Sequence, residues 1–295
     1  MHRILFVAGC LAVAACGGGG GSAGALPPPA NGFQIKPAAV MLAAGEEKYV
    51  CFSVTLKEGA DVAVTEFQSS ATEVVHHFEV FQTLAPEPDG FSDCSQTLIK
   101  VSWLPMFGGG AGAGGLKLPD GAGFKIPKDA QLLLQLHLLN ATTSPVSTTV
   151  AVNLSYAAHP TAVTPAGIFA MGTMNLTLPP STAGIQAGSH CSLGKQLDVF
   201  AVQPHMHRLG TRITLEHGAD QSSASVVYKR DPWVFGVQPI DAFATTINKG
   251  DYLAATCTFD NPTAAPVSYG ESTKDEMCYF VLFYTPFDHL DGCVQ

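Results

Sequence analysis

The chain has 295 residues and a formal net charge of −9, with 13% charged and 46% hydrophobic residues. An acidic balance without a cluster of Lys or Arg argues against a nucleic-acid partner. No apolar run of about 18 residues follows the N-terminus, so no internal membrane span is expected.

Met1-His2-Arg3 is a short basic start, and Ile4 to Ala15 is apolar but too short to span a bilayer. The run Leu11-Ala12-Val13-Ala14-Ala15-Cys16 resembles a bacterial lipobox, in which the cysteine is lipidated and becomes the new N-terminus. A signal peptide over 1–16 and a Gly/Pro-rich tether over 17–33 are therefore expected. The mature chain would sit in the bacterial cell envelope, held to the membrane by lipidated Cys16. The alternative is ordinary secretory cleavage near Ala15. Either way the chain leaves the cytoplasm, where disulfides would not persist. Six cysteines remain (Cys51, Cys94, Cys191, Cys257, Cys278 and Cys293), enough for three bridges, with the pairing left open. None forms C-x-x-C, which disfavours a thiolate zinc site or a thioredoxin-type site. Asn140, Asn153 and Asn175 head N-x-S/T triplets and are expected at the surface.

Short runs rich in β-branched and aromatic residues, separated by Gly- and Pro-containing turns, predict strands. In the first half these are Tyr49 to Leu56, Val62 to Gln68, Val74 to Phe81, Ala130 to Leu139 and Thr148 to Tyr156. Leu84 to Ser95 and the glycine-rich Phe107 to Gly115 read as loops. The junction His159 to Pro165 reads as a domain boundary. Strands then follow at Ile168 to Leu178, Lys195 to Gln203, Arg212 to His217, Ser225 to Tyr228, Tyr252 to Phe259 and Met277 to Tyr284. The expected fold is all-β: two antiparallel β-sandwich, jelly-roll-like domains, 34–158 and 162–295, with a cleft between them.

Val202 to Gly210 reads V-Q-P-H-M-H-R-L-G, and in a strand His205 and His207 point the same way. Two imidazoles on one face can share a metal ion, though the pair names no metal. The first half offers a comparable set, His76-His77 and then His137; the second adds Met277 in Asp275-Glu276-Met277-Cys278. Adjacent His76 and His77 would face opposite ways in a regular strand, so both can reach one ion only where the strand ends or bulges. Read singly, each residue is as well explained by core packing or an internal hydrogen bond. His159, His190, His217 and His289 have no partner at a metal-like spacing and read as ordinary residues.

The order H-H, H, H-x-H, D-E-M-C, with the contexts Tyr49-Val50-Cys51 and Gly250 to Cys257, resembles the type II copper, ascorbate-dependent monooxygenases. The resemblance runs from about Glu46 to Cys293. It implies two copper ions in separate domains facing a solvent-filled cleft. His76, His77 and His137 would hold the electron-transfer copper; His205, His207 and Met277 would hold the copper that takes O2 and substrate. It also implies the pairs Cys51–Cys94, Cys191–Cys293 and Cys257–Cys278. The expected partners are a small-molecule substrate, O2 and a reductant such as ascorbate, and a monomer is expected. The peptide-amidating members use an arginine two residues before H-x-H and a tyrosine four after the methionine to hold a substrate carboxylate. Here those positions are Gln203 and Val281, which argues against a glycine-extended peptide. A non-catalytic copper-storage or export protein on the same fold is the alternative. The single G-x-S-x-G match, Gly20 to Gly24, lies in the tether and supports no hydrolase.

Overall fold

The computed structural model describes residues 26–95 and 100–295. The signal peptide, Cys16 and most of the tether lie outside the described residues. The described chain is built of strands, with one short 3-10 turn at Pro160–Ala162. Among the described residues no helix is long and apolar enough to cross a membrane.

The N-terminal half is a sandwich. A six-stranded sheet runs in the order Gly32–Ile35, Val150–Tyr156, Val62–Ala71, Ala122–Ile126, Thr164–Pro165, with Gly112–Lys117 also paired to Val62–Ala71. It faces a five-stranded sheet ordered Gly90–Asp93, Glu47–Thr55, Gln131–Leu139, Val75–Thr83, Trp103–Gly110. Alternation decides which side chains fill the space between them: Phe78 and Val80 from one strand and Leu132, Leu134, Leu136 and Leu138 from its neighbour are all fully buried there. The opposite face of that sheet carries His77, His137 and Tyr49.

The C-terminal half repeats the plan. A four-stranded sheet, Thr182–Ser192, Tyr252–Asn261, Gly210–Gly218, Ser225–Arg230, lies against a five-stranded one, Asp241–Ile247, Leu197–Met206, Cys278–Thr285, Gly167–Gly172, Asp291–Val294. The five-stranded sheet is buried on both faces. Phe169, Met171, Val202, Met206, Phe280 and Leu282 point into its own sandwich. Ile168, Ala201 and Phe283, with the partly buried Val281, join the hydrophobic cluster of the N-terminal half. The two halves are thus joined by a continuous apolar interface as well as by their linker.

All three cystine pairs implied by the resemblance are formed: Cys51–Cys94, Cys191–Cys293 and Cys257–Cys278. Three expectations change. Phe107 to Gly115 is strand on both sides of Ala111: Trp103–Gly110 pairs with Val75–Thr83 in one sheet, and Gly112–Lys117 pairs with Val62–Ala71 in the other. Glycines carry no side-chain periodicity, so the strand was invisible; they are there because the backbone runs close to its neighbours. A Cβ on Gly109 would come within 2.8 Å of the Phe78 ring, and one on Gly115 within 2.7 Å of the Phe67 carbonyl oxygen. The Leu84 to Ser95 loop contains the strand Gly90–Asp93, which brings Cys94 alongside Cys51. Asn140 and Asn153 are not surface residues: both are buried, and their amides are hydrogen-bonded. Asn140 donates to the carbonyls of Ala43 and Ser144 and accepts from Thr142, so its triplet is a turn motif.

Candidate metal centre

His77 and His137 are opposed across neighbouring antiparallel strands. The register then slips, with Leu138 opposite Val75, so His76 is the extra residue of a β-bulge. That bulge turns His76 to the side of the sheet that carries His77, which a regular strand would forbid. One ligand-capable nitrogen from each of His76, His77 and His137 lies within 4.8 Å of the others. Nδ1 of His76 and Nδ1 of His77 stand 3.2 Å apart. His137 donates Nε2–H to Glu47 Oε1 at 2.8 Å, and its Nδ1 is buried with no hydrogen-bond partner. The Tyr49 ring stacks on the His137 ring, centroids 4.1 Å apart and planes 12° apart.

In the other half, Met206 opposes Cys278 and His205 opposes Tyr279. Met206 and Cys278 point into the sandwich; His205 and Tyr279 point away from it, towards the N-terminal half. His207 and Met277, one step beyond the last rung, continue that outer face by period two. His205 Nδ1 donates to Gln238 Oε1 at 2.5 Å, and His207 Nδ1 donates to the Asp275 carbonyl at 3.0 Å. Both bonds leave Nε2 with its lone pair. Glu276, fully buried, accepts the backbone N–H of His207 (3.1 Å) and of Leu209 (2.6 Å). Met277 is 7% exposed, and the Cys257–Cys278 bridge fixes the strand beside it.

The two sets meet. The rings of His77 and His205 are 6.1 Å apart between centroids, and Phe235 lies 4.9 Å from His76 and 6.3 Å from His207. The cleft between the halves is present, as a half-enclosed cavity of about 520 Å³ lined by Phe107, Gly110, His76, Phe235, Gln238 and Ile240 among others. It opens beside His76, and the ligands do not stand on opposite sides of it. The difference from two sites facing each other over open solvent has a physical cause: the apolar faces around Ile168, Ala201 and Phe283 draw the sheets into contact.

Burial sets the charge state. Desolvation holds His76 down to about 4 and His205 down to about 3, with neighbouring imidazoles adding to it, and holds His77 well below its ordinary value. His137 and His207 are also lowered by burial, opposed by Glu47 and by Asp275 respectively. All five rings are neutral at pH 7, the form that ligates metal. Glu79, two residues beyond His77, is pushed up to about 7 by burial and by Glu271.

Residues 164–295 match the family described as copper type II ascorbate-dependent monooxygenase, C-terminal domain. Residues 164–295 are thus similar to the C-terminal domain of the type II copper monooxygenases, and distant relatives with monooxygenase names match the wider chain. It is 23% identical over 244 residues to the human putative DBH-like monooxygenase protein 2, covering 75% of this chain and 48% of that one. It is 24% identical over 307 residues to rat dopamine beta-hydroxylase, covering 91% and 48%. The mouse DBH-like monooxygenase protein 1 is 29% identical over 131 residues, covering 40% and 21%. The chain thus spans about half the length of the longest-matching of these relatives, or less.

The donor set fits the family's metal. Three imidazole rings converge, two with their Nδ1 atoms 3.2 Å apart and the third with an orphaned Nδ1. Two further imidazoles, held by Gln238 and Asp275, present free Nε2 atoms beside a buried thioether-bearing strand end. Imidazole and thioether suit copper, and among the described residues the clustered group His76, His77 and His137 includes no carboxylate. Glu47, Phe235, Gln238 and the carbonyl of Asp275 escaped sequence reasoning. Glu47 stands two residues before the Tyr49-Val50-Cys51 motif, and Asp275 opens D-E-M-C; the loop Trp233 to Ile240 carried no signal.

Proposed function

We propose that the protein is a copper-dependent monooxygenase that hydroxylates a C–H bond of a small molecule: R–H + O2 + 2 e⁻ + 2 H⁺ → R–OH + H2O, the electrons coming from a small reductant such as ascorbate. The observation that carries this reading is the convergence of five neutral imidazoles and the Met277 strand end on one buried interface, beside a cavity large enough for a small molecule. His76, His77 and His137 would hold one copper ion through Nδ1. His205 and His207 through Nε2, with Met277, would hold a second. Copper bound there supplies one-electron chemistry and O2 activation, and a thioether favours the reduced ion.

The chain's own residues do the rest. Glu47 and Tyr49 fix the His137 ring; Gln238 and the Asp275 carbonyl fix those of His205 and His207. Phe235 and the glycine-rich stretch 108–115 wall the cavity off from bulk water on one side. Gln203 and Val281 are partners across their strands, with Val281 packed on the N-terminal core, so that position offers no cation for a substrate carboxylate. The substrate is accordingly a small molecule without that group. The mature chain is further proposed to be a monomer held on the cell envelope by lipidated Cys16.

The test is copper stoichiometry followed by oxygen uptake. The purified chain loaded with copper and given ascorbate should bind two ions and consume O2 in a substrate-dependent way. His205→Ala and Met277→Ile should abolish uptake. Two bound coppers with no oxygen chemistry across a broad panel would leave a copper-holding protein; less than one per chain would remove the metal reading altogether.

A further inference from the structure

The stretch Glu271–Met277 touches both ligand sets, and it is internally braced. Gly270 N–H donates to the Glu276 carbonyl (3.3 Å), Glu276 N–H to that of Ser268 (3.1 Å), and Asp275 N–H to that of Ser272 (2.9 Å). Gly270 is tight against it: a Cβ there would sit 2.4 Å from Asp275 Oδ2. One end is pinned to the N-terminal half. Tyr49 donates its hydroxyl to the Glu271 carbonyl at 2.6 Å, and Thr273 N–H donates to Glu47 Oε1 at 3.3 Å. That same carboxylate oxygen receives Nε2–H of His137 at 2.8 Å, and the Tyr49 ring lies stacked on His137. The other end reaches the second set: the Asp275 carbonyl holds the His207 ring, Glu276 holds the His207 backbone, and Met277 follows directly.

We propose that this braced segment couples the two metal sites, so that filling one tightens the other, with Glu47 and Tyr49 as positioning residues that act through it. The inference rests on the copper reading above. An ion on His137 Nδ1 fixes that ring, hence Glu47 and Tyr49, hence Thr273 and Glu271. The segment ordered in this way then presents the Asp275 carbonyl and Met277 with less conformational freedom left to lose. Linkage makes the effect reciprocal. Direct repulsion between two neighbouring cations would give coupling of the opposite sign, so the sign itself discriminates.

The experiment titrates the full apo chain with Cu(I) against a chromogenic competing chelator. Wild type is compared with His207→Ala, which isolates the three-histidine set, and with His76→Ala, which isolates the other. The three-histidine set should bind about fivefold or more tightly in wild type than in His207→Ala, within the usual range of coupling. Tyr49→Phe keeps the stacking and loses only the bond to Glu271; Glu47→Gln weakens the shared acceptor. Each should bring the coupling ratio near one; Glu47→Gln should also weaken the isolated three-histidine set by loosening the His137 ring, so the ratio between wild type and the single-set variants is the readout. Unchanged melting temperature in Tyr49→Phe separates this from loss of fold. Two coppers that bind independently in wild type, or coupling that survives both substitutions, overturns the proposal and leaves the enzyme reading intact. A chain that binds no copper overturns both.

Discussion

The Cys257–Cys278 bridge makes the sharpest claim about how the second ligand set is built. It crosses the C-terminal sandwich from one sheet to the other, between two sulfurs that are fully buried, and ends at the residue after Met277. The double substitution Cys257→Ala/Cys278→Ala removes a crosslink over a separation of 21 residues. Chain entropy alone puts the loss at about 3 kcal/mol at 25 °C. For a chain of this size that lowers the melting temperature by roughly 6–12 °C. The comparison is Cys51→Ala/Cys94→Ala, with a separation of 43, for which the same reasoning gives about 4 kcal/mol. Stability alone therefore ranks the two variants in one order. Copper ranks them in the other: Cys257→Ala/Cys278→Ala should lose affinity chiefly at the Met277 set, with the three-histidine set changing only through the coupling, while Cys51→Ala/Cys94→Ala should not affect the Met277 set directly. Thermal denaturation and Cu(I) titration of both variants decide it. A Cys257→Ala/Cys278→Ala chain that melts within about 2 °C of wild type, or that binds both coppers unchanged, would falsify the argument.

Gly188→Ala would place a Cβ 1.8 Å from the Ala255 carbonyl oxygen in the neighbouring strand, so no soluble folded chain is expected on expression at 37 °C, while the open-turn variant Gly194→Ala should express normally. Asn140→Ala removes an amide that bonds to Ala43, Ser144 and Thr142 at full burial, and urea unfolding should show a loss of about 2–4 kcal/mol. Glu271 is raised from its ordinary 4.5 to about 7, first by burial and then by Asp275, against the hydrogen bond from Tyr269. Between those values the folded chain keeps a proton that the unfolded chain has released, so this group makes stability fall as pH rises through the window and stay level above it. Glu271→Gln should flatten that part of a urea-midpoint-against-pH curve; a steeper slope would contradict the burial argument. Copper at about a hundred times its dissociation constant should add about 2.7 kcal/mol for each site filled, and chelation should reverse the rise in melting temperature.

What could be read from the sequence was what side-chain pattern controls. Leu132 to Leu138 announced a buried strand, and His205-Met206-His207 announced two imidazoles on one face. The His76-His77 pair stated its own condition, a bulge, and the strand has one there. What could not be read was made by backbone. The glycine-rich strand Gly112–Lys117, the small and polar strand Thr182–Ser192 and the edge strand Gly90–Asp93 have little apolar alternation to follow, so only pairing with their neighbours defines them. The residues that orient the imidazoles were hidden for a related reason: Asp275 acts through its carbonyl, and Gln238 sits in a loop whose path only the fold determines.

The matched family domain covers residues 164–295, whereas His76, His77 and His137 lie before it. Five neutral imidazoles are held where water is scarce, two with ring nitrogens 3.2 Å apart and one with a nitrogen that has no partner. Leaving a buried polar atom unpaired costs about 1–3 kcal/mol, and the orphaned His137 Nδ1 beside the His76–His77 nitrogen pair carries that cost unless an ion takes up its lone pair. The same interface that excludes water brings the His205 ring to His77 and lets Glu47 and Tyr49 of one half hold the Glu271–Met277 stretch of the other. The apolar contact through Ile168, Ala201 and Phe283 therefore shapes the site: it sets the burial that keeps the histidines neutral and brings the His205 ring to that of His77. Adding a charge on that contact, as in Ala201→Asp, should part the two sets and lower copper affinity at both, though no ligand has been touched.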